Sequence, residues 1–443
     1  MLSTFRGGIK IAEHKELSAA QPIEVYEPQD ELVFPLSQHI GAFALPCVKL
    51  GERVLVGQII ARAQGKISAN VISSVSGSVA KIEPRMIVNG SLINSIIVKN
   101  DYQYECIEGF GKTSNLDTIT NQMTIDKIAD AGIVGLGGAG FPLAVKLQPQ
   151  NPEKIEYVII NGAECEPYLT NDYRCMLEYP KEIIGGLQLF LRLFPNAKGI
   201  IAVEDNKPEA IKLLSGQVKP GMEVRTLKTK YPQGGERSLI YVITKRAINR
   251  HKLPSDVGCI VVNIASTIAA YDAVINNIPL VKKVVTITGD AIVQPKNLLV
   301  RFGTNYQELA AYCGGFKGEL EKLISGGPMM GNALFNTHIP VSKTSSALVC
   351  LSKDEVSANQ ETNCIHCGKC VSVCPMHLIP QMMYNYARHQ QPDEFERIHG
   401  LECISCGCCT YICPAKRNMT QEFAQIKRRI NEQKKKEREK KNG

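Results

Sequence analysis

Cys364-Ile-His-Cys367-Gly-Lys-Cys370-Val-Ser-Val-Cys374-Pro375 is answered further on by Cys403-Ile-Ser-Cys406-Gly-Cys-Cys409-Thr-Tyr-Ile-Cys413-Pro414. Each run is C-x-x-C-x-x-C-x-x-x-C-P, the spacing that holds a pair of [4Fe–4S] clusters. Three close thiolates wrap one cube, and the proline turns the chain so that the fourth faces the other cube. Cys364, Cys367, Cys370 and Cys413 are therefore assigned to one cluster, and Cys403, Cys406, Cys409 and Cys374 to the other. A chain so equipped moves single electrons. Structural zinc fits less well, because zinc sites pair two C-x-x-C units across a spacer. Disulfides are disfavoured because Met1–Lys10 carries no apolar segment or small-residue cleavage site of a signal peptide. Cys408 is out of register and reads as a bystander. The seven remaining cysteines are scattered, as expected of reduced and mostly buried thiols.

Working outward, the chain has 443 residues, too many for one core, and should divide into three or four domains. No uninterrupted apolar run approaches the roughly 20 residues of a membrane-spanning helix. The longest candidate, Cys259 to Tyr271, contains Asn263, Ser266 and Thr267. The expectation is a protein that is soluble or peripheral to a membrane. Of the net charge of +8, the stretch 427–443 supplies +6, from nine Lys/Arg against three Glu, leaving +2 for the other 426 residues. This basic tail reads as a solvated helix that could meet acidic lipid or an acidic partner. With no aromatic residue among its charges, nucleic acid is not expected as a partner.

Residues 1–105 read as short strands punctuated by Gly and Pro, among them Glu31–Phe34, Arg53–Val56, Gln58–Ala61 and Ser78–Ile82. From 120 to 275 strand and helix patterns alternate, which predicts an α/β domain with a largely parallel sheet. Strands are expected at Glu156–Ile160, around Gly199–Val203 and at Cys259–Val262, and a short helix at Ile125–Ala131. Residues 281–340 form a smaller β-rich unit with a strand at Val284–Thr288 and a helix at Gln307–Cys313. The cluster domain occupies 352–425, and His377–Glu402 between the cysteine runs reads as helical.

Two segments of the α/β region carry further chemistry. Gly135-Leu-Gly137-Gly138-Ala-Gly140 leads into a helix opened by Pro142. Adjacent glycines let backbone N–H groups approach a phosphate, and a helix N-terminus favours the anion. No strand precedes this loop and the order is not a dinucleotide fingerprint. Lys146, one turn on, is placed to reach a phosphate or a flavin ring, though a surface lysine would look the same. The strand Glu156–Ile160 then runs into Asn161-Gly-Ala163-Glu164-Cys-Glu166-Pro167-Tyr168. Ligands of α/β sheets sit at strand carboxyl ends, so Asn161 is a candidate for a flavin edge. Glu164 and Glu166 are candidates for ribose hydroxyls or a nicotinamide amide.

These residues resemble the flavin mononucleotide and NADH site of the NADH-binding subunit of respiratory complex I. The resemblance extends to Tyr231-Pro-Gln-Gly234-Gly235-Glu236-Arg and to Val262-Asn263-Ile, which it implies are flavin-contacting. It gives Gly137, Gly138, Gly140, Lys146, Asn161, Glu164, Tyr231, Gly234, Glu236 and Asn263 as cofactor-binding residues, with Glu164 and Glu166 acting on the nucleotide. The chain departs from that pattern at Ala163, where an aspartate is expected, and at Gly235, where an acid pair is expected. Both departures bear on the nucleotide rather than the flavin.

With Phe5-Arg6-Gly7-Gly8-Ile9 and His14-Lys15-Glu16-Leu17 at one end and the cysteine runs at the other, the whole chain resembles the RnfC family of Rnf/Rsx electron-transport complexes. The resemblance implies a multidomain α/β protein. Its parts would be a lipoyl/biotinyl-like barrel-sandwich domain (1–105), an FMN/NADH-binding α/β domain (120–275), an SLBB or β-grasp-like domain (281–340), a helical two-cluster ferredoxin-like domain (352–425) and a basic tail (427–443). It further implies a peripheral subunit on the cytoplasmic side of the cell membrane. Electrons would pass between NAD(H), non-covalent FMN and two [4Fe–4S] clusters, in contact with other subunits of a membrane complex, including a ferredoxin-like iron–sulfur subunit, and with ferredoxin indirectly. The rivals are a cobalamin reductase of the same superfamily and a non-catalytic iron–sulfur relay that does not bind NAD(H).

Overall fold

The computed structural model describes residues 3–442 and divides into two compact units. One consists of Glu13–Leu227 and Pro254–Lys353. The other consists of Met1–Ala12, Lys228–Leu253 and Asp354–Gly443.

The larger unit is organised on a four-stranded sheet in the order Met222–Leu227, Lys198–Glu204, Tyr157–Gly162, Cys259–Asn263. Every neighbouring pair is parallel. The strands are continuous β-branched runs such as Val158-Ile-Ile160 and Ile260-Val-Val262, buried throughout, as a sheet covered on both faces requires. Helices Asn171–Glu178, Pro180–Leu193, Pro208–Ser215 and Ile264–Ile275 supply the cover. Pro180–Leu193 and Ile264–Ile275 approach so closely that a Cβ on Gly186 would stand 2.5 Å from the Thr267 carbonyl oxygen.

Two antiparallel sheets form the barrel-like part of this unit. One has the order Glu31–Pro35, Leu92–Asn100, Gly77–Met86, Arg53–Val54; the other has the order Leu45–Pro46, Ile59–Arg62, Val71–Ile72. A six-stranded mixed sheet runs Ile23–Tyr26, Lys296–Arg301, Lys282–Thr288, Ala347–Leu351, Lys322–Ser325, Asn332–Leu334. Its edge corrects the expected boundary at 105. Ile23–Tyr26, from the N-terminal region, pairs in parallel with Lys296–Arg301, while Ala347–Leu351 carries the sheet past residue 340. The three expected domains also share one continuous apolar core, running from Phe34 and Ile60 through Val158 and Ile160 to Val285 and Leu298.

The second unit is helical: Glu236–Thr244, Lys369–Ser372, Pro380–Arg388, Pro392–Arg397, Cys408–Ile412 and Met419–Asn442. Met419, Phe423, Ile426 and Ile430 recur at helical spacing and pack against Met383, Ala387 and Phe395. The expected break between a cluster domain and a basic tail near 425–427 does not exist, because Met419–Asn442 is one helix. Lys427 is not free either. Its ammonium donates to the Cys403 carbonyl at 2.7 Å and to Ser405 Oγ at 3.2 Å. Lys434 pairs with Glu396 at 2.5 Å. Gly443 and the side chains at 438, 439, 441 and 442 lie outside the described residues. Among the described residues no helix is long and apolar enough to cross a membrane.

Candidate functional site

In the larger unit the expected flavin residues gather where the parallel strands end. Asn161 and Asn263 close adjacent strands and face each other in register. Asn263 also opens the helix Ile264–Ile275, its Oδ1 accepting from the Ala265 amide at 2.9 Å. Its Nδ2 donates to Asp172 Oδ2 at 2.7 Å. Gly137 lies directly on this side chain, since a Cβ there would stand 2.4 Å from Asn263 Nδ2. Gly138 and Ala139 are exposed, and a Cβ on Gly138 would meet nothing within 4 Å. Gly140 is buried with φ +72, its carbonyl accepting from the Ile40 amide at 3.2 Å. The result is an open glycine turn fixed at both ends, with a helix N-terminus beside it, and such a cradle suits a phosphate. Lys146 departs from expectation: its ammonium donates to the Val261 carbonyl at 2.9 Å, back onto the sheet.

The acidic loop also departs from expectation. Glu164, at φ 47 and 3% exposed, accepts from the amides of Asp172 at 2.6 Å and Tyr173 at 3.3 Å, which satisfies the start of the helix Asn171–Glu178. Lys15 stands 3.8 Å from it and donates to the Glu166 carbonyl at 3.0 Å and to that of Leu169. Lys207, likewise buried, donates to the Ala163 carbonyl at 2.7 Å. Burial raises the Glu164 carboxyl to about 7, against the pull of Lys15, and also raises Asp172. Glu164 is thus a helix cap inside an ionic cluster, not a group presented to a ribose. Glu166 Oε2 accepts from the Met329 amide at 3.0 Å, and Gly327 lies against this carboxylate. Lys15, Asp172 and Lys207 were not singled out from the sequence for this site. A lone acid or lysine in an amphipathic stretch carries no signal until the fold buries it.

Tyr231, Gly234 and Glu236 belong to the second unit, not to the one holding the glycine turn. The Tyr231 hydroxyl donates to the Cys406 carbonyl at 2.8 Å, and Tyr231 and Ile9 exchange backbone hydrogen bonds at 2.8 and 3.0 Å. Glu236 begins the helix Glu236–Thr244. Gln233 is wholly buried with neither carboxamide atom hydrogen-bonded, and Ser238 Oγ is in the same state. Buried polar groups left like this are costly, and the polar atoms of a bound group would relieve them.

The cysteine runs fold as two matching turns. His366 and Ser405 both take left-handed backbone conformations (φ 55 and 56), as do Gly368 and Gly407 (72 and 80) and His377 and Lys416 (54 and 52). The His366 and Ser405 amides donate to Cys364 Sγ and Cys403 Sγ, each at 3.4 Å, and the Leu378 amide to Cys374 Sγ at 3.3 Å. Cys374, Cys403, Cys406 and Cys409 line one pocket with about 360 Å³ of empty space. Electrostatically, Cys374 feels Cys403 and Cys406, whereas Cys370 feels Cys413 and Cys364. These are the two groups of the crossed assignment, and the thiols fit two cubes. Cys374, Cys406 and Cys409 are buried and Cys367 is exposed. Cys408, also buried, turns its thiol toward the Tyr231 carbonyl at 3.9 Å. Gly7 packs on the end of the first run, where a Cβ would stand 2.7 Å from the Cys374 carbonyl oxygen.

Comparison with known proteins gives three family matches: an RnfC barrel sandwich hybrid domain over 3–103, a Nuo51 FMN-binding domain over 128–272 and a 4Fe-4S dicluster domain over 363–417. The RnfC-type subunit of the proton-translocating ferredoxin:NAD(+) oxidoreductase complex of Clostridium ljungdahlii is 43% identical, covering 86% of this chain and 84% of the relative. The chain belongs to the RnfC family. The corresponding subunit of the Na(+)-translocating ferredoxin:NAD(+) oxidoreductase complex of Acetobacterium woodii is 40% identical over 98% of both chains. That of the ion-translocating oxidoreductase complex of Vibrio cholerae is 38% identical over 89% of this chain, which spans about half (51%) of that relative. As an RnfC-family protein the chain carries FMN and [4Fe–4S] clusters. The open glycine turn, the orphaned Gln233 and the grouped thiols are the features of its own structure that fit them.

Proposed function

We propose that this RnfC-family chain passes electrons between NAD(H), non-covalently held FMN and two [4Fe–4S] clusters. It would do so as a peripheral, cytoplasmic-side subunit of an ion-translocating ferredoxin:NAD oxidoreductase complex. The single observation that carries this is the seat of Tyr231 on Cys406 within one compact unit, which joins a flavin-type segment to a cluster loop. When bound, FMN supplies the exchange between a hydride donor and one-electron acceptors. The residues supply the rest. Gly137, Gly138 and Gly140 receive the phosphate, Asn161 and Asn263 face the flavin edge, and Tyr231, Gly234 and Glu236 are further flavin contacts. Glu166 is the better candidate for the nicotinamide nucleotide, because both oxygens of Glu164 are taken up by helix amides. Lys146, bound to a strand carbonyl, holds the turn's following helix rather than the phosphate. Cys364, Cys367, Cys370 and Cys413 hold one cluster, and Cys403, Cys406, Cys409 and Cys374 the other. The six-stranded sheet is read as the SLBB domain, and the helical unit as a ferredoxin-like dicluster domain.

Ala163 and the engaged Glu164 favour one alternative, a relay that does not bind NAD(H). Anaerobic mixing of the purified chain with NADH separates the two. Bleaching of the visible flavin band within seconds is expected. A flavin that stays oxidised for minutes would leave only the relay.

A further inference from the structure

Two buried lysines outside the sequence motifs meet the glycine turn from behind. Lys283, 3% exposed on the strand Lys282–Thr288, donates to the carbonyls of Leu136 at 2.6 Å and Lys343 at 2.9 Å. Lys343, 2% exposed, donates to the carbonyls of Asn70 at 2.5 Å and Gly132 at 2.6 Å. The two ammonium groups therefore tie both ends of the segment 132–136 to the six-stranded sheet and to the barrel-like part. Burying one lysine is expensive, and burying two costs more. Removal from water lowers both ammonium groups to about 7. Nothing in the core needs a charge at these positions, but the turn needs its carbonyls held.

The consequence follows from peptide geometry. In a trans peptide the C=O and the next N–H point in opposite directions, and among the described residues the only cis bond is Tyr231–Pro232. With the Leu136 carbonyl drawn inward onto Lys283, the Gly137 N–H must face outward, where Gly137 and Gly138 are exposed. A neutral lysine amine keeps two N–H donors, so this orientation survives loss of the charge.

We infer that Lys283, buttressed by Lys343, is a positioning residue that fixes the 136–137 peptide plane so that the Gly137 amide is aimed at the flavin's phosphate. This rests on reading the turn as the FMN phosphate site. Riboflavin, which lacks the phosphate, supplies the control.

The full-length chain is stripped of flavin and titrated with FMN and with riboflavin by fluorescence quenching, as wild type, Lys283→Met and Lys343→Met. Wild type should prefer FMN. Lys283→Met should bind FMN about tenfold or more weakly, the loss of one hydrogen bond to a charged group, with riboflavin affinity unchanged. Lys343→Met should show a smaller loss of the same kind. A folded Lys283→Met that keeps the wild-type preference overturns the inference, as does equal weakening toward both flavins. If the variants fail to fold, hydrogen exchange in the wild type decides. FMN but not riboflavin should protect the peptide 132–141, and protection by neither or by both overturns it. A wild type that binds neither flavin removes the flavin reading itself, an outcome distinct from all of these.

Discussion

The Tyr231 hydroxyl donates to the backbone carbonyl of Cys406 at 2.8 Å, fully buried, while the Tyr231 carbonyl faces the Cys408 thiol at 3.9 Å. One side chain thus clamps the middle of the second cysteine run. Tyr231→Phe leaves a buried carbonyl without its partner, at a cost of about 1 kcal/mol. The expected outcome is a modestly lower denaturation midpoint and a shifted midpoint potential for one cluster only, read by redox titration with EPR detection.

The crossed ligand set makes a pairwise prediction. Cys413→Ser should disturb the same EPR signal as Cys364→Ser, and Cys374→Ser the same signal as Cys403→Ser. Cys408→Ser should keep about eight irons per chain, the content of two intact cubes. Iron and sulfide analysis of anaerobically purified variants checks both statements. Loss of about four irons in Cys408→Ser would make that residue a ligand.

Glu164 should reveal itself through pH. Its carboxyl is raised from 4.5 to about 7 by burial, so the folded chain holds a proton that the unfolded chain releases. Its contribution to stability is fully present below about 4.5 and is lost as pH rises through about 7. Glu164→Gln keeps a neutral acceptor for the helix amides and removes the titration. The melting temperature of the variant, compared with wild type, should fall less between pH 5 and pH 8.

Gly137→Ala adds a Cβ that would stand 2.4 Å from Asn263 Nδ2. Asn263 must then leave Asp172 or the turn must lift, and overpacking of this kind costs about 1–3 kcal/mol. Flavin content after purification should fall sharply, while iron content stays at the wild-type level.

The cluster ligands and the parallel sheet were legible because their signals are local. Cysteine spacing is written in consecutive residues, and a strand such as Val158–Ile160 shows its burial as an unbroken β-branched run. The strand Ile23–Tyr26 was not legible, since its partner Lys296–Arg301 lies far along the chain and nothing within four residues names it. Glu164 misled for a related reason. An acid at a strand end looks like a ligand group until the next helix proves to start within reach of it. Lys283 and Lys343 were invisible because a lysine is ordinarily a surface residue, and only the folded packing brings carbonyls to their ammonium groups.

The unequal burial of the two cysteine runs has a practical consequence. Cys367 is exposed, whereas Cys374, Cys406 and Cys409 are buried. Oxygen and chelators reach the first cube across an open surface and the second only through packed side chains. Brief exposure to air should therefore leave a protein with one cube damaged and the other intact, so that handling alone could make a two-cluster chain pass for a one-cluster chain.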